Sequence, residues 1–196
     1  MQITRFVGFW TAWAFILVAF SIQGCAHSNR KISAENKSQG LGLPSQAVIQ
    51  LSPVDGRVGT YTSTNAGFYT ATYWIEGPEG LILIDTQFLI SAAEEAVSWA
   101  EKVTGKKTVL AIVLHPNPDK FNGTEVFQKR GIRVITSEQI LADIPSVHEK
   151  RLGWFYERFK PDYPREAAKP ESFGNQTREI DAAGVVAAAV QQHEVA

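Results

Sequence analysis

Two short apolar runs, each followed by a charged or ionisable residue, constrain the fold of this chain most strongly. The run LILI (81–84) leads into Asp85, and the run VLAIVL (109–114) leads into His115. Runs that are apolar throughout are typical of strands buried on both faces of a sheet. Between them, SAAEEAVSWAEKVTG (91–105) predicts a helix that Ser91 caps and Gly105 ends. This strand, helix, strand order predicts an α/β layered domain.

The rest of the chain extends the same pattern. Strands are expected in AVIQLS (47–52) and GRVGTYTS (56–63), and FYTATYWIEGPEGLILIDT (68–86) reads as a hairpin with its turn at EGPEG. A helix in KFNGTEVFQKRG (120–131), a strand in IRVITS (132–137) and two helices in 137–144 and 146–159 should follow. One strand is expected in 173–184. Few strands remain after Ser137 to form a second sheet layer.

The N-terminus differs from the rest in composition. Arg5 is the only charged residue among the first 25, and the apolar run from Phe6 to Phe20 leads into SIQGC. This segment resembles a bacterial lipoprotein signal, with Cys25, the only cysteine, as the lipidated residue. The resemblance implies a signal peptide (1–24), a flexible spacer (25–45) and a domain (46–196). It also implies export and a lipid anchor in the outer membrane, facing the periplasm. The alternative is a plain secretory signal or an uncleaved anchor.

The segment HPNPDK (115–120) has the spacing of a metal-binding motif but only part of its chemistry. With Asp85 before it and the strands and helices around it in this order, it resembles the N-terminal half of the metallo-β-lactamase fold, over Val48–Ser137. That family carries an aspartate after the hairpin strand and a His-x-His-x-Asp-His signature after the next one. The resemblance implies an α/β fold, the N-terminal part of an αββα sandwich whose second half is largely missing here.

The family's roles carry over to some positions only. The resemblance makes Asp85 structural, His115 and Asp119 metal ligands, and Asp119 the catalytic candidate. Asn117 and Lys120 stand where histidines would be. A zinc site typically needs three protein ligands, and a lysine ammonium repels a dication. Zinc is therefore a doubtful cofactor, and neither His148 nor His193 is a convincing further ligand.

Each of these residues also has a simpler interpretation. Asp85 suits a turn aspartate that accepts from backbone amides, and His115 a hydrogen-bonded histidine at a strand end. Asp119 suits an N-cap of the following helix. Lys120 either pairs with Asp119 or Asp85 in the cavity where a metal would sit, or is solvated. Four aromatic residues are expected in core or interface packing: Trp154, Phe155, Tyr156 and Phe159.

These observations lead to a restricted set of functions. The formal net charge of −1 and the absence of a basic stripe argue against a nucleic-acid partner. The expected protein is a membrane-anchored lipoprotein with a metallo-β-lactamase-like domain and weak or no hydrolytic activity. The alternatives are a non-catalytic periplasmic binding protein, in which Lys120 attracts an anionic small molecule, and a truncated inactive product.

Overall fold

A computed structural model describes residues 32–36 and 45–189 of the chain. The predicted signal peptide and Cys25 lie outside these residues. The strands are β1 (Ile32–Asn36), β2 (Ser45–Leu51), β3 (Val58–Thr62), β4 (Ala71–Glu76), β5 (Leu81–Ile84), β6 (Thr108–Ile112), β7 (Arg133–Thr136), β8 (Glu171–Ser172), β9 (Arg178–Ala182) and β10 (Val185–Ala189). The helices are α1 (Ile90–Thr104), α2 (Pro118–Phe121), α3 (Thr124–Lys129) and α4 (Glu138–Phe159).

The main sheet contains β1 to β8 in chain order. Neighbours from β1 to β5 pair antiparallel, and those from β5 to β8 pair parallel. Helix α1 buries one stripe of small residues, Ala92, Ala93, Ala96, Val97 and Ala100, in a core shared with the other helices and one sheet face. The predicted α/β class is confirmed. Strand β1 lies inside the segment interpreted as a spacer, so the boundary at residue 46 stays a prediction.

The second face of the sheet is covered by a small hairpin. Strands β9 and β10 pair antiparallel around a turn at Ala183 and Gly184, with φ of 56° and 70°. Positive φ at both central residues is the conformation that two-residue hairpin turns require. The hairpin packs on a cluster that includes Ile82, Leu110 and Ile135. The one strand predicted in 173–184 is confirmed as β9. Strand β10 was not predicted, because three of its five residues are alanine, which is depleted in strands.

Helix α4 is one continuous helix of 22 residues, not the two helices predicted on either side of Pro145. Ser137 is its N-cap and accepts a hydrogen bond from Ile140 N at 3.3 Å. Proline removes one intrahelical hydrogen bond. The buried residues Ile144 and His148 flank Pro145 and keep the helix packed through that position. Within the described ranges, no helix combines the length and apolar character that crossing a membrane requires.

The start of α1 is held by a residue distant in sequence. The sequence predicted Ser91 as the N-cap, but the N-cap position is Leu89, which makes no side-chain cap. The carboxylate of Asp162 instead accepts from Ser91 N at 2.7 Å and from Ser91 Oγ at 2.6 Å. The Asp162 carbonyl accepts from Ile90 N at 2.9 Å. A tertiary contact thus satisfies amides that local capping leaves free.

A glycine allows the close approach that assembles the candidate site. Gly123 lies between α2 and α3, where a Cβ would overlap the carbonyl oxygen of Thr86 and lie 2.6 Å from Ala93 Cβ. Because the first of these neighbours is backbone, it cannot move aside without shifting the end of β5. Gly123 therefore fixes how closely α2 and α3 approach Thr86.

We predict that Gly123→Ala destabilises the fold by about 1–3 kcal/mol, the usual cost of overpacking a core. The matched control is Gly153→Ala, in α4, where an added Cβ would have nothing within 4 Å. That control should stabilise the protein by about 0.5–1 kcal/mol, because alanine is the better helix former. Urea unfolding measures both, and equal stability of the two variants would contradict the packing argument.

Candidate functional site

Asp85 joins the ends of three neighbouring strands. Its N–H donates to Ile112 O at 2.9 Å, and its carboxylate Oδ1 accepts from Leu114 N at 3.0 Å. Its carbonyl oxygen accepts from Thr72 Oγ1 at 3.1 Å. The backbone of Asp85 has φ of 65°, an uncommon value for a residue other than glycine. These bonds hold Asp85 as a turn residue that accepts from a backbone amide of the loop leading to His115.

Helix α2 positions the polar residues of the HPNPDK segment. Asn117 is its N-cap by backbone geometry and makes no side-chain cap, and Pro118 is the first helical residue. Asp119 lies inside the first turn, so the interpretation of Asp119 as the N-cap was wrong. The preference of proline for the first helical position explains the difference, since it moves the helix start back by two residues.

The threonine after Asp85 fixes the position of Lys120. Thr86 donates to the Lys120 carbonyl oxygen twice, from its N at 2.7 Å and from its Oγ1 at 2.9 Å. Thr86 is fully buried. The carbonyl of Lys120 is therefore bonded to the residue that follows Asp85, and the lysine side chain begins next to that carboxylate.

Three charged groups meet at this point. Lys120 Nζ lies 3.7 Å from Asp85 Oδ2 and 3.3 Å from Asp119 Oδ2. The side chain of Asp85 is 9% exposed, that of Lys120 28% and that of Asp119 34%. The sequence left Lys120 either paired with an aspartate or solvated, and in the structure it pairs with both aspartates. One ammonium between two carboxylates leaves this cluster with at most one net negative charge.

Burial dominates the ionisation of Asp85. It raises the pKa of the carboxyl from 3.8 to about 6, and the nearby charge of Asp119 also raises it. The hydrogen bond from Leu114 and the ammonium of Lys120 lower the pKa but do not offset burial. Asp85 is thus ionised at neutral pH but takes up a proton in mild acid.

The predicted metal ligands do not form a zinc site. His115 is exposed, and its ring makes no hydrogen bond within the described part of the chain. The Asp119 carboxylate faces the Lys120 ammonium, a cation that cannot donate a lone pair to metal. No cluster of three or more histidine, cysteine, aspartate or glutamate side chains suited to a metal occurs in residues 32–36 and 45–189. The donor set present here does not fit zinc.

A groove opens beside the charged cluster. It has a volume of about 570 Å³, within the range of small-molecule sites. Asn117, Asp119 and Lys120 contribute to its lining. The aromatic residues in the lining are Phe68, Tyr69, Phe88 and Phe155. His115 and Asp85 do not line it. The structure therefore brings together three of the four positions of the HPNPDK motif and separates His115 from them.

Arg151 lines the same groove and was missed by the sequence analysis. It lies on α4, four residues before Phe155 and three after the buried His148, so it belongs to the core-facing stripe of that helix. An arginine inside an apolar stripe is the signal that could have identified it. Its guanidinium lies 4.4 Å from the ring centre of Trp154 and makes no ion pair with the described carboxylates.

The four aromatic residues of α4 separate into two groups. Phe155, Tyr156 and Phe159 pack against the main core, as predicted. Trp154 is 57% exposed and contacts Arg151, so it is not a core residue, and interface packing stays a prediction for it. His148 is buried, and its Nε2 lies 3.1 Å from Arg165 O, a contact that keeps it away from the groove.

Comparison with known proteins gives a distant similarity in fold. No protein-family model matches the sequence, and no curated protein matches it. Among solved structures, a metallo-β-lactamase from Erythrobacter litoralis, with β-mercaptoethanol in its active site, is 22% identical with a TM-score of 0.45. The alignment covers 51% of this chain and 46% of that one.

Two further solved structures give the same result. A metallo-β-lactamase from Pontibacter korlensis is 19% identical with a TM-score of 0.48, over 69% of this chain and 57% of that one. The mono-zinc form of FIM-1 from Pseudomonas aeruginosa is 15% identical with a TM-score of 0.49, over 70% and 54%. This chain spans about half the length of the solved structures it matches. Similarity at this level concerns the fold and assigns no activity.

The raised pKa of Asp85 predicts a specific dependence of stability on pH. A folded pKa of about 6 against 3.8 means that the folded state holds the proton more tightly. The free energy of unfolding should therefore fall as pH rises from about 4 to about 6, by up to about 3 kcal/mol from this group. Asp85→Asn retains an acceptor for Leu114 N and should lack this component.

Urea unfolding between pH 4 and 7 measures the difference between the two proteins. The free-energy curve of the wild type should approach or cross below that of Asp85→Asn as pH rises through this window. The exposed Glu149→Gln variant controls for loss of a carboxylate as such. Parallel curves for wild type and Asp85→Asn would show that Asp85 does not titrate differently in the folded state.

Proposed function

We propose that this chain is a metallo-β-lactamase-like domain that works without bound zinc, as a binding domain for an anionic small molecule. The observation that carries the proposal is the position of Lys120 Nζ, within 3.7 Å of Asp85 and 3.3 Å of Asp119. In this arrangement an ammonium supplies the positive charge that two carboxylates near a metal would otherwise receive from the ion. Hydrolysis that depends on a metal-activated water is then absent.

A binding role is supported by the groove beside this cluster. Its lining combines aromatic surface with the side chains of Lys120 and Arg151, as expected of a site that buries a small organic anion. Lys120 is largely compensated by its two aspartates. Arg151 is the cation in the lining that has no carboxylate partner among the described residues. The attraction for an anion is therefore assigned to Arg151 more than to Lys120.

The alternative is a weak zinc hydrolase. This alternative is suggested by the similarity in fold to metallo-β-lactamases. One of those proteins was solved in a mono-zinc form. It requires His115 and Asp119 to bind zinc with ligands from water or from a partner. The two functions differ in whether the wild-type protein holds zinc.

We predict that the full chain, purified in detergent and dialysed against zinc, holds no stoichiometric metal when assayed by native mass spectrometry. Replacing both Asn117→His and Lys120→His should produce zinc binding, because two imidazoles then stand beside Asp119 at the groove, a set of three donors. Adding Asp119→Ala to the double variant should weaken that binding. Stoichiometric zinc in the wild type, lost in His115→Ala, would overturn the zinc-free proposal and favour the hydrolase alternative.

We also propose where in the cell this protein acts. The apolar run before Cys25 and the small residue preceding it support a lipoprotein held on a bacterial membrane and facing the periplasm. A binding domain on a lipid anchor would meet its ligand at or near that membrane.

Membrane attachment should depend on Cys25. In a bacterial host, globomycin should cause unprocessed precursor to accumulate, because it blocks the lipoprotein signal peptidase. Cys25→Ala should remove the processed, membrane-bound form. Fractionation and immunoblotting measure both, with Ala26→Ser as a control beside the cleavage site. Unchanged processing and attachment under both treatments would leave no basis for the lipid anchor.

A further inference from the structure

We infer that the groove binds a monocarboxylate with an aromatic body, and that Arg151 pairs with the carboxylate. This inference rests on the proposed binding function and specifies the ligand class and the residue that recognises it. Three observations lead to it: the absence of a carboxylate partner for Arg151 among the described residues, the packing of the aromatic walls, and the arrangement of charges at the groove.

Arg151 is available to bind an anion. It is half-buried on α4, and no carboxylate of the described residues pairs with it. A charge held on the core-facing side of a helix is costly unless it is paired. The indole of Trp154 contacts the guanidinium at 4.4 Å and restricts its movement. A planar guanidinium held in this way can bind a carboxylate through two parallel hydrogen bonds.

Lys120 does not compete for this role. Its ammonium already faces Asp119 at 3.3 Å and Asp85 at 3.7 Å. An incoming carboxylate would have to approach two existing negative charges to reach it. Electrostatics therefore favours the end of the groove at Arg151 for the negative group of the ligand.

The aromatic rings of the groove are fixed before any ligand binds. Phe88 contacts Phe68 with ring centres 5.0 Å apart and Phe155 at 5.2 Å, in edge-to-face geometry. Phe68 also contacts Phe155 at 5.9 Å. Three mutually packed rings form a rigid apolar wall, which lowers the entropy cost of binding a flat ligand. Such a wall favours an aromatic body over a flexible chain.

Tyr69 lines the groove and has a strained backbone conformation. Phe68 and Tyr69 have φ of 58° and 53°, in the left-handed region that residues other than glycine rarely adopt. The ring of Phe68 is packed, but Tyr69 is 68% exposed and makes none of the ring contacts found in the described chain. Strain without a packing gain is characteristic of residues that contact ligands. We place Tyr69 against the face of the bound aromatic group.

The charges of the lining restrict the ligand to a single negative charge. Lys120 and Arg151 contribute two positive charges to the lining and Asp119 one negative charge. Asp85, outside the lining, also pairs with Lys120 at 3.7 Å, so the charge of Arg151 is the one that a ligand anion balances. The Asp119 side chain is 34% exposed, so it can repel a second anionic group. A monocarboxylate complements this lining, whereas a dianionic phosphate monoester would bring excess negative charge close to Asp119.

The test is a titration of the full chain in lipid nanodiscs, with empty nanodiscs as the blank. Calorimetry would compare 2-naphthoate with the neutral 2-naphthylmethanol and with 2-naphthyl phosphate. We expect one molecule of 2-naphthoate to bind per chain, more tightly than either of the others. Arg151→Gln should lower the affinity for 2-naphthoate by at least about tenfold and leave the affinity for 2-naphthylmethanol unchanged. Only the anion pairs with the guanidinium.

Matched variants separate recognition from folding. Lys150→Gln removes the neighbouring exposed cation, outside the groove lining, and should change affinity less than about twofold. Arg151→Lys keeps the charge without the planar fork and should give an intermediate loss. Asparagine suits a left-handed backbone, so Tyr69→Asn should raise the melting temperature while lowering the affinity for 2-naphthoate and for 2-naphthylmethanol. A rise in melting temperature without loss of affinity would exclude Tyr69 from the site.

The outcomes distinguish this inference from the proposed function. If 2-naphthoate does not bind, binds no better than 2-naphthylmethanol, or is unaffected by Arg151→Gln, the inference is overturned even though the protein remains free of zinc. If the wild type holds stoichiometric zinc through His115, the proposed function fails, whatever the titration gives. Circular dichroism of each variant confirms that a loss of affinity comes from a folded protein.

Discussion

The carboxylate of Asp85 is the interaction on which the candidate site depends. It accepts from the backbone amide of Leu114, and its own backbone bonds reach Ile112 and Thr72, so three strands end in fixed relation to one another. The same carboxylate faces the ammonium of Lys120. A single buried anion therefore organises both the loop after β6 and the position of the ammonium on α2. Its raised pKa reflects the cost of this position.

The groove is a continuation of the core rather than a separate feature. Phe88 is 2% exposed and contacts the rings of Phe68, Phe155 and Phe159, which connect the loop after β3 to α4. Because these rings pack on each other, the groove wall has the rigidity of the interior. The exposed part of this wall lies next to Arg151 and the α2 residues. A site with this arrangement can select a ligand by shape on one side and by charge on the other.

Local sequence signals located most of the elements but failed where distant contacts decide. The apolar runs of β5 and β6 and the glycine that ends α1 were predicted correctly. Pro145 suggested a break in α4, yet burial of the residues on either side keeps one helix. The alanine-rich strand β10 has weak intrinsic preference, and pairing with β9 and packing on the sheet form it. Asp162 caps α1 from more than 70 positions away, which no local pattern encodes.

By itself the sequence determined the class of fold and the chemistry available at HPNPDK, because residue type alone decides that this segment carries an imidazole, an amide, a carboxylate and an ammonium. Only the tertiary structure decided how those groups are used. It turned His115 outward, set Lys120 between Asp85 and Asp119, and brought Arg151 on α4 to the same groove. The physical reason is that ion pairing and burial depend on distances between side chains that are far apart in the chain. Those distances are fixed by the packing of the helices on the sheet.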